Sequence, residues 1–575
     1  MKQTVKRLLA LLLTALMLVS LAACQTDKPT EPSKQEETTL APTEKPTDKP
    51  TDKPDDETTA EPTEPEPDGV QFPLAEEVTL TFMVANMDGR DIPAELEKME
   101  FWQEIYEATN VKIEITPLPK DETLNAVNAM FQANKEGDMI LLTTSVKQDT
   151  DFCNMIDAGL FLDITEYVDD EKLMPNLHAR VLDQIPQARG LITSPEGGIY
   201  CLPSLNATAY SKLESPMYIN KTWLDKAGFK LEDIKTIDDL EKVLTYFAEN
   251  DMNGNGIDDE IPYALCQANN NAHVEAFSSL YGIATKGNTS DNGLYVENGE
   301  VKFAYTSENY KDAVKKLRDW YNKGLIWKEA FTASDSDFYA LIKTNNIGLC
   351  SRVSWPTGGD EWVALLPVEV EGYKPSFYVN PGIIATNKVV ALTRSCEEPE
   401  IALAWLDLFF SYEYSVRSYY GDEEDGRYDY VDGKLNVKSL SNEENAKLIE
   451  EQPTLFNLFQ IYQCWTLEDY TDRIVMSETN RIKQDTYEAY QKVDALNKEI
   501  WPRPLMTADV ASRMSELRTD IFNLVAVKRA AWIEGSADID ADWDQYIADL
   551  EKMSINEFIS LAQEAYDVYL EGMKQ

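Results

Sequence analysis

The densest run of chemistry-bearing side chains is residues 251–260, Asp-Met-Asn-Gly-Asn-Gly-Ile-Asp-Asp-Glu. Asp251, Asn253 and Asn255 place side-chain oxygens at alternate positions, and Gly256 stands sixth, where the chain must turn sharply. This is how a short loop collects a hard cation such as Ca²⁺. The twelfth position, Pro262, cannot supply the bidentate carboxylate that usually closes such a loop. Catalytic signatures are sparse by comparison. His178 and His273 are the two histidines, and neither sits in a nucleophile or metal motif. There is no HExxH, no GxSxG and no phosphate-cradling GxxxxGK[ST].

The ends and the composition bound the remaining choices. Lys2, Lys6 and Arg7 precede an apolar run over residues 8–21, too short for a comfortable bilayer span and laid out as a secretory signal peptide. It stops at Leu21-Ala22-Ala23-Cys24, which resembles a bacterial lipobox and implies cleavage after residue 23 and lipidation of Cys24. More than one acyl chain is needed for stable anchoring, and a lipidated Cys24 would carry two or three. Residues 24–70 are a Pro/Thr/acidic stalk with the repeat Lys-Pro-Thr-Asp, unable to bury enough apolar surface to order itself. In polyproline II form it would reach on the order of 130 Å. The formal charge of the 575 residues is −48, which repels nucleic acid and anionic headgroups and leaves the lipid anchor as the expected membrane contact. Beyond Cys24 the six cysteines show no ligand spacing and read as small core residues rather than disulfides.

The elements follow from periodicity. Strands are expected near 78–84, 111–115, 139–142 and 346–350, and helices over 94–109, 124–133, 240–249, 307–322 and 399–410, with the chain nearly all helical from 505 onward. Early strands alternating with helices argue for an α/β fold with a largely parallel sheet. Ligands of such sheets sit at the carboxyl ends of strands. Loops 85–89 and 143–147 are therefore candidate cleft walls, with Asn86, Asp88, Thr144 and Ser145 on them and Asn206 on a later one.

Residues 217–228, Met-Tyr-Ile-Asn-Lys-Thr-Trp-Leu-Asp-Lys-Ala-Gly, resemble a segment of family 1 extracellular solute-binding proteins. The likeness continues through Thr236-Ile237-Asp238-Asp239-Leu240 to the loop ending Asp-Glu-Ile-Pro. It returns at 321–326, 399–403, 543–546 and 563–566, and so covers most of residues 76–575. The resemblance implies a two-lobed, helix-rich clamp in which the chain crosses between lobes more than once. The expected first lobe is 75–203 with 366–412, and the second is 204–365 with 413–575. It further implies a monomeric sugar-type ABC transporter lipoprotein on the outer face of a Gram-positive cell membrane, which captures a carbohydrate and hands it to a permease.

The same resemblance implies site residues. In the family's shortened loop adjacent acids replace the missing twelfth ligand, giving Ca²⁺ bound by Asp251, Asn253, Asn255, Asp259 and Glu260 with the Ile257 carbonyl, while Asp258 faces solvent. Trp355 stands where sugar binders often place an aromatic against the apolar face of a sugar ring. Tyr210, Tyr378, Tyr420 and Trp465 are further stacking candidates. No cluster of Arg or Lys is evident near these loops, which favours a neutral oligosaccharide. Two alternatives stay open in the sequence. A glycosidase needs only two suitably spaced carboxylates, and a sugar-sensing or peptide-binding surface lipoprotein would use the same clamp.

Overall fold

The computed structural model describes residues 69–146, 149–206, 213, 216–267, 272–285, 293–351, 361–379, 389–461, 464–497 and 499–574. The signal segment, Cys24 and the stalk as far as residue 68 lie outside the described residues, as do Tyr210, Trp355 and the side chain of Thr144.

Two four-stranded sheets organise the chain. In the first, Val78–Asn86 runs parallel to Val111–Pro119 and to Met139–Leu141, and Val390–Leu392 closes an edge antiparallel. Alternation along Val78–Asn86 decides its two faces. Leu80, Phe82 and Val84 enter the main core, and Met83 joins Val127, Phe131, Ile140 and Phe152 on the opposite side. Both faces are thus covered, as parallel strands require. The single helix expected over 94–109 is two helices, Ile92–Leu96 and Glu100–Thr109, because Met99 takes up extended backbone between them.

The second sheet has the order Trp362–Leu365, Met217–Asn220, Ile347–Ser351, Ile261–Ala264. Here the expectation of parallel strands holds for one pairing, Ile261–Ala264 with Ile347–Ser351. Met217–Asn220 is inserted against the direction of both its neighbours, so the other two pairings are antiparallel. The helix Ile237–Glu249 begins at a Thr236/Asp239 capping box and buries Leu240, Val243, Leu244 and Phe247. Phe247 lies so close to Gly348 that a Cβ there would come within 2.5 Å of its ring. The helix Glu308–Asn322, capped by Ser307, buries Tyr310, Ala313, Val314, Leu317 and Trp320 at helical spacing.

Two expected lobe boundaries move. Residues 366–379 stay with the second sheet, since Ile237 N–H donates to the Glu369 carbonyl at 3.0 Å and Phe377 N–H to the Ala495 carbonyl at 2.7 Å. Among the described residues that follow, Val389 rejoins the first sheet's side, its N–H donating to the Leu202 carbonyl. Residues 412–461 remain on the first sheet's side. Trp405 packs edge-on to Trp102, Tyr414 packs against Phe101, and Phe459 reaches Phe82. Once the apolar helix Pro399–Asp407 is seated there, the next turns bury their aromatics in the same layer.

The last helices tie the two halves together. Ala508–Glu534 meets Cys153 through Ala508 and Ala511 near its start, and near its end Arg529 pairs with Glu275 at 3.1 Å with both side chains buried. Ile555–Gly572 lies so close to the helix Gln187–Ile192 that a Cβ on Gly190 would come within 2.7 Å of the Tyr569 carbonyl oxygen. Among the described residues, Cys153, Cys201, Cys266, Cys350, Cys396 and Cys464 form no disulfide. Among the described residues, no helix is long and apolar enough to cross a membrane.

Glu241 joins two helices of the second lobe and sets an acid limit. Burial alone would raise its carboxyl. Hydrogen bonds from Lys316 at 2.7 Å, Lys323 at 2.5 Å and the Trp320 indole at 2.8 Å outweigh that and hold it at about 2. A carboxyl depressed by folding stabilises above its ordinary value of 4.5, and the gain disappears as pH falls toward about 2. In urea melts between pH 5 and 2, Glu241→Gln should therefore show a smaller fall in stability than the wild type. Equal slopes would remove Glu241 from the acid response.

Candidate ligand cleft and cation loop

Strand ends of both sheets carry polar atoms that the fold leaves unused. Met139–Leu141 passes directly into the short helix Leu142–Ser145, which is tied back by the Leu142 N–H donating to the Val389 carbonyl at 2.7 Å. The Thr143 and Ser145 hydroxyls on that turn are buried without a hydrogen-bond partner among the described residues. Further along, the chain forms Leu205–Asn206, paired in parallel with Cys464–Trp465, where the Asn206 Oδ1 is buried and has no hydrogen-bond partner among the described residues. In the second sheet, Ile261–Ala264 runs on to Gln267, whose N–H donates to the Ala330 carbonyl while its Oε1 is buried and unpartnered.

Each such group costs about 1–3 kcal/mol of lost hydration unless something bonds to it. Four neutral hydrogen-bonding groups at or just beyond strand ends, drawn from both sheets and from the Leu205–Asn206 ribbon, are of the kind a polyhydroxylated ligand can satisfy. By contrast Ser351, at the end of Ile347–Ser351, is satisfied, with its Oγ 3.1 Å from the Tyr263 hydroxyl.

The expected site residues divide accordingly. Ser145 and Asn206 belong to this set. Asp88 does not, because its carboxylate is taken by Arg90, with Nε at 2.7 Å, on an exposed turn. Asn86 is used the same way, accepting from the Gly89 N–H and donating to the Arg90 carbonyl. Both fold their own loop. Tyr378 is 3% exposed, and its hydroxyl donates to the Trp501 carbonyl. Trp465 is 2% exposed, enclosed by the rings of Tyr412, Tyr419, Tyr420 and Tyr470 at 6.0–6.5 Å. Neither offers a face for stacking, because its own neighbours have covered it. Tyr420 lies on the outside of that cluster, only partly buried. Thr143 and Gln267 were missed. Their signal was position alone, a hydroxyl or amide two or three residues beyond an apolar strand.

The loop at 251–260 folds back on itself as its spacing requires. Asp251 accepts from the Gly254 N–H at 2.6 Å and the Gly256 N–H at 2.9 Å, and both glycines take positive φ. Glu260 accepts from Met252 N–H and Asn253 N–H at 2.7 and 3.2 Å. The side-chain amides of Asn253, Asn255 and Asn346 all donate to Asp259, at 2.9, 3.1 and 2.8 Å. Three dipoles thus turn their positive ends toward one carboxylate, in the place of a cation's charge. Asn346, which sequence reading did not include, joins because Ile261 N–H donates to its carbonyl at the start of the parallel pair. Asp258 is exposed.

Burial opposes ionisation of Asp251. The N–H groups of Gly256 and Gly254 and the charge of Lys226 together hold its carboxyl below the usual range. Among the described residues no three His, Cys, Asp or Glu side chains gather closely enough to hold a metal by themselves. The loop reaches a full set of oxygens only with its Asn amides and a carbonyl, a donor set that fits a hard cation and not a soft one.

The unpartnered atoms make a prediction about the ligand-free protein. Removing a hydroxyl that bonds nothing forfeits no hydrogen bond, so Ser145→Ala should leave the melting temperature unchanged or raise it, unlike most buried polar substitutions. A drop of several degrees in calorimetry would show that Ser145 is already satisfied.

Comparison with known proteins gives a consistent picture. The sequence profile of bacterial extracellular solute-binding proteins matches residues 93–415. The fructooligosaccharide ABC transporter substrate-binding protein FusA of Streptococcus pneumoniae is 29% identical over 520 residues, covering 87% of this chain and 92% of FusA. Its structure in complex with kestose superposes with a TM-score of 0.64 at 25% identity over 86% of this chain and 99% of FusA. An EF-hand mutant of FusA has also been solved, in complex with fructo-nystose, with a TM-score of 0.62 at 24% identity over the same shares of both chains. An extracellular solute-binding protein from Bifidobacterium longum subsp. infantis gives a TM-score of 0.71 at 22% identity, covering 86% of this chain and 98% of that one. The fold is the two-lobed solute-binding clamp, in its helix-rich α/β form.

Proposed function

The chain belongs to the bacterial extracellular solute-binding protein family, and on that premise we propose that it captures a neutral oligosaccharide for an ABC importer without altering it. The observation that carries this reading is the set of unpartnered neutral groups at Thr143, Ser145, Asn206 and Gln267. Hydroxyls and amides suit sugar hydroxyls, which donate and accept, better than they suit a carboxylate or phosphate, which calls for Arg or Lys. The relationship to FusA supports the oligosaccharide class.

Because the groups come from elements of both sheets, a ligand bonded to all of them favours the closed clamp by its differential affinity for that state, and closure is what a permease reads. The protein acts as a monomer tethered through lipidated Cys24, with the acidic stalk as spacer. Titration calorimetry of the purified protein with kestose and a panel of neutral oligosaccharides, followed by chromatography of the recovered sugar, tests the proposal. Saturable heat with the sugar returned intact is the expected result. Shortened sugar would make the protein an enzyme, and heat only with uronates or peptides would move the ligand class.

Calcium binding belongs to the same proposal. Asp251, Asn253, Asn255, Asp259 and Glu260 with the Ile257 carbonyl would hold the ion, and Asn346 would brace Asp259. The ion would supply a fixed positive charge that locks the turn between Ile237–Glu249 and Ile261–Ala264. At a free concentration 100-fold above Kd it would add about 2.7 kcal/mol of stability. Chelation should lower the melting temperature of the wild type and leave that of Asp251→Ala unmoved. A wild type indifferent to chelator would remove calcium from the account.

A further inference from the structure

The ribbon of Leu205–Asn206 with Cys464–Trp465 sets Leu205 beside Cys464 and Asn206 beside Trp465. Two residues a side make too few ladder bonds to hold a place on their own. Arg180 supplies what is missing. Its Nη2 donates to the Cys464 carbonyl at 3.0 Å and to Asp469 Oδ2 at 2.6 Å, and its Nε donates to the Phe410 carbonyl at 2.6 Å.

Asp469 closes the arrangement from the other end of the strand. Its carboxylate accepts from the Thr466 N–H at 2.8 Å, and its own N–H donates to Thr466 Oγ1 at 3.2 Å. Ser415 Oγ accepts from the Cys464 N–H at 3.0 Å. The pair is withdrawn from water, with 13% of the Arg180 side chain and 1% of the Asp469 side chain exposed. Each partner also lies on a five-residue π-helical turn, His178–Leu182 and Asp469–Arg473. Such wide turns are rare and concentrate at functional sites. A buried ion pair adds little net stability over an apolar replacement, so fixing geometry is the better account of this one.

We propose that Arg180 and Asp469 are positioning residues for ligand capture. They lock the Cys464–Trp465 strand against its partner and thereby set where Asn206 presents its unpartnered Oδ1. This rests on reading that atom as part of the oligosaccharide site. Neither residue touches the ligand.

The test measures kestose affinity and melting temperature of the full chain for Asp469→Asn, Arg180→Lys, Asn206→Ala and the double variant Asp469→Asn/Asn206→Ala. Glu136→Gln is the control. Glu136 is as buried as Asp469 and accepts from Arg394 Nε and Ser395 Oγ, just before Met139–Leu141 and with no contact to the ribbon among the described residues. Kd should rise about tenfold in each single ribbon variant, a loss the size of one well-placed hydrogen bond. The double variant should bind no more weakly than Asn206→Ala alone. Glu136→Gln should lose melting temperature and keep its Kd. Additive losses, or an unchanged Kd in Arg180→Lys at a lowered melting temperature, would make the pair merely structural. Arg180→Lys keeps the charge and carries the test if Asp469→Asn fails to fold. No heat from the wild type with kestose or any neutral oligosaccharide would instead overturn the carbohydrate reading, and this proposal with it.

Discussion

A hydroxyl or amide withdrawn from water must find a partner, and most of this molecule meets that demand within itself. Asp407 takes two N–H groups at the start of a short helix, Asp138 takes the Thr81 N–H and hydroxyl, and Asp469 takes the Thr466 N–H and Arg180. Against this background the idle oxygens of Thr143, Ser145, Asn206 and Gln267 stand out by position. All stand at or just beyond strand ends. The fold bears their desolvation cost without return until a guest bonds to them, and the architecture can be understood as a way of holding four such atoms still.

Holding them still falls to elements far apart in the chain. The first sheet fixes the turn at 142–145 through Val389, and the second fixes Gln267 through Ala330. Two long C-terminal helices then span the halves. Ala508–Glu534 is moored to the second lobe by a buried charge pair and touches the first through small residues. Burial pushes the Glu275 carboxyl up, opposed by the Arg529 guanidinium beside it. The asymmetry is physical. Aromatic rings and paired charges resist displacement, whereas alanine against cysteine is a shallow contact that tolerates small adjustments.

Periodicity made the framework legible. The amphipathic helices at 237–249 and 308–322 came out within a few residues of expectation, since burial of one face leaves an unmistakable 3.6-residue pattern. The glycines and alternating oxygens of 251–260 likewise foretold a loop wound upon itself. Less legible was whatever depends on partners distant in sequence. Trp465 reads as an available ring, yet its faces are spent on four tyrosines that only the fold assembles. Asp88 reads as a free acid but serves Arg90 two residues on. Gln267 gave no sign beyond its place after an apolar strand and Asn346 none at all, because their roles arise where strands of different origin end or begin together. The direction of Met217–Asn220 was equally hidden, since an apolar run is the same run read against either neighbour.

That the six described cysteines stay out of disulfides carries a consequence for a protein of an extracellular family. Burial pushes Cys350, Cys396 and Cys464 up to about 12, so these three stay protonated and unreactive at neutral pH. A cross-linked extracellular protein depends on an oxidant to mature and fails where reductants accumulate. This one closes its cores with hydrocarbon and leaves its sulfur inert. Closing this fold therefore calls for no oxidant among the described residues, whether or not oxygen is present.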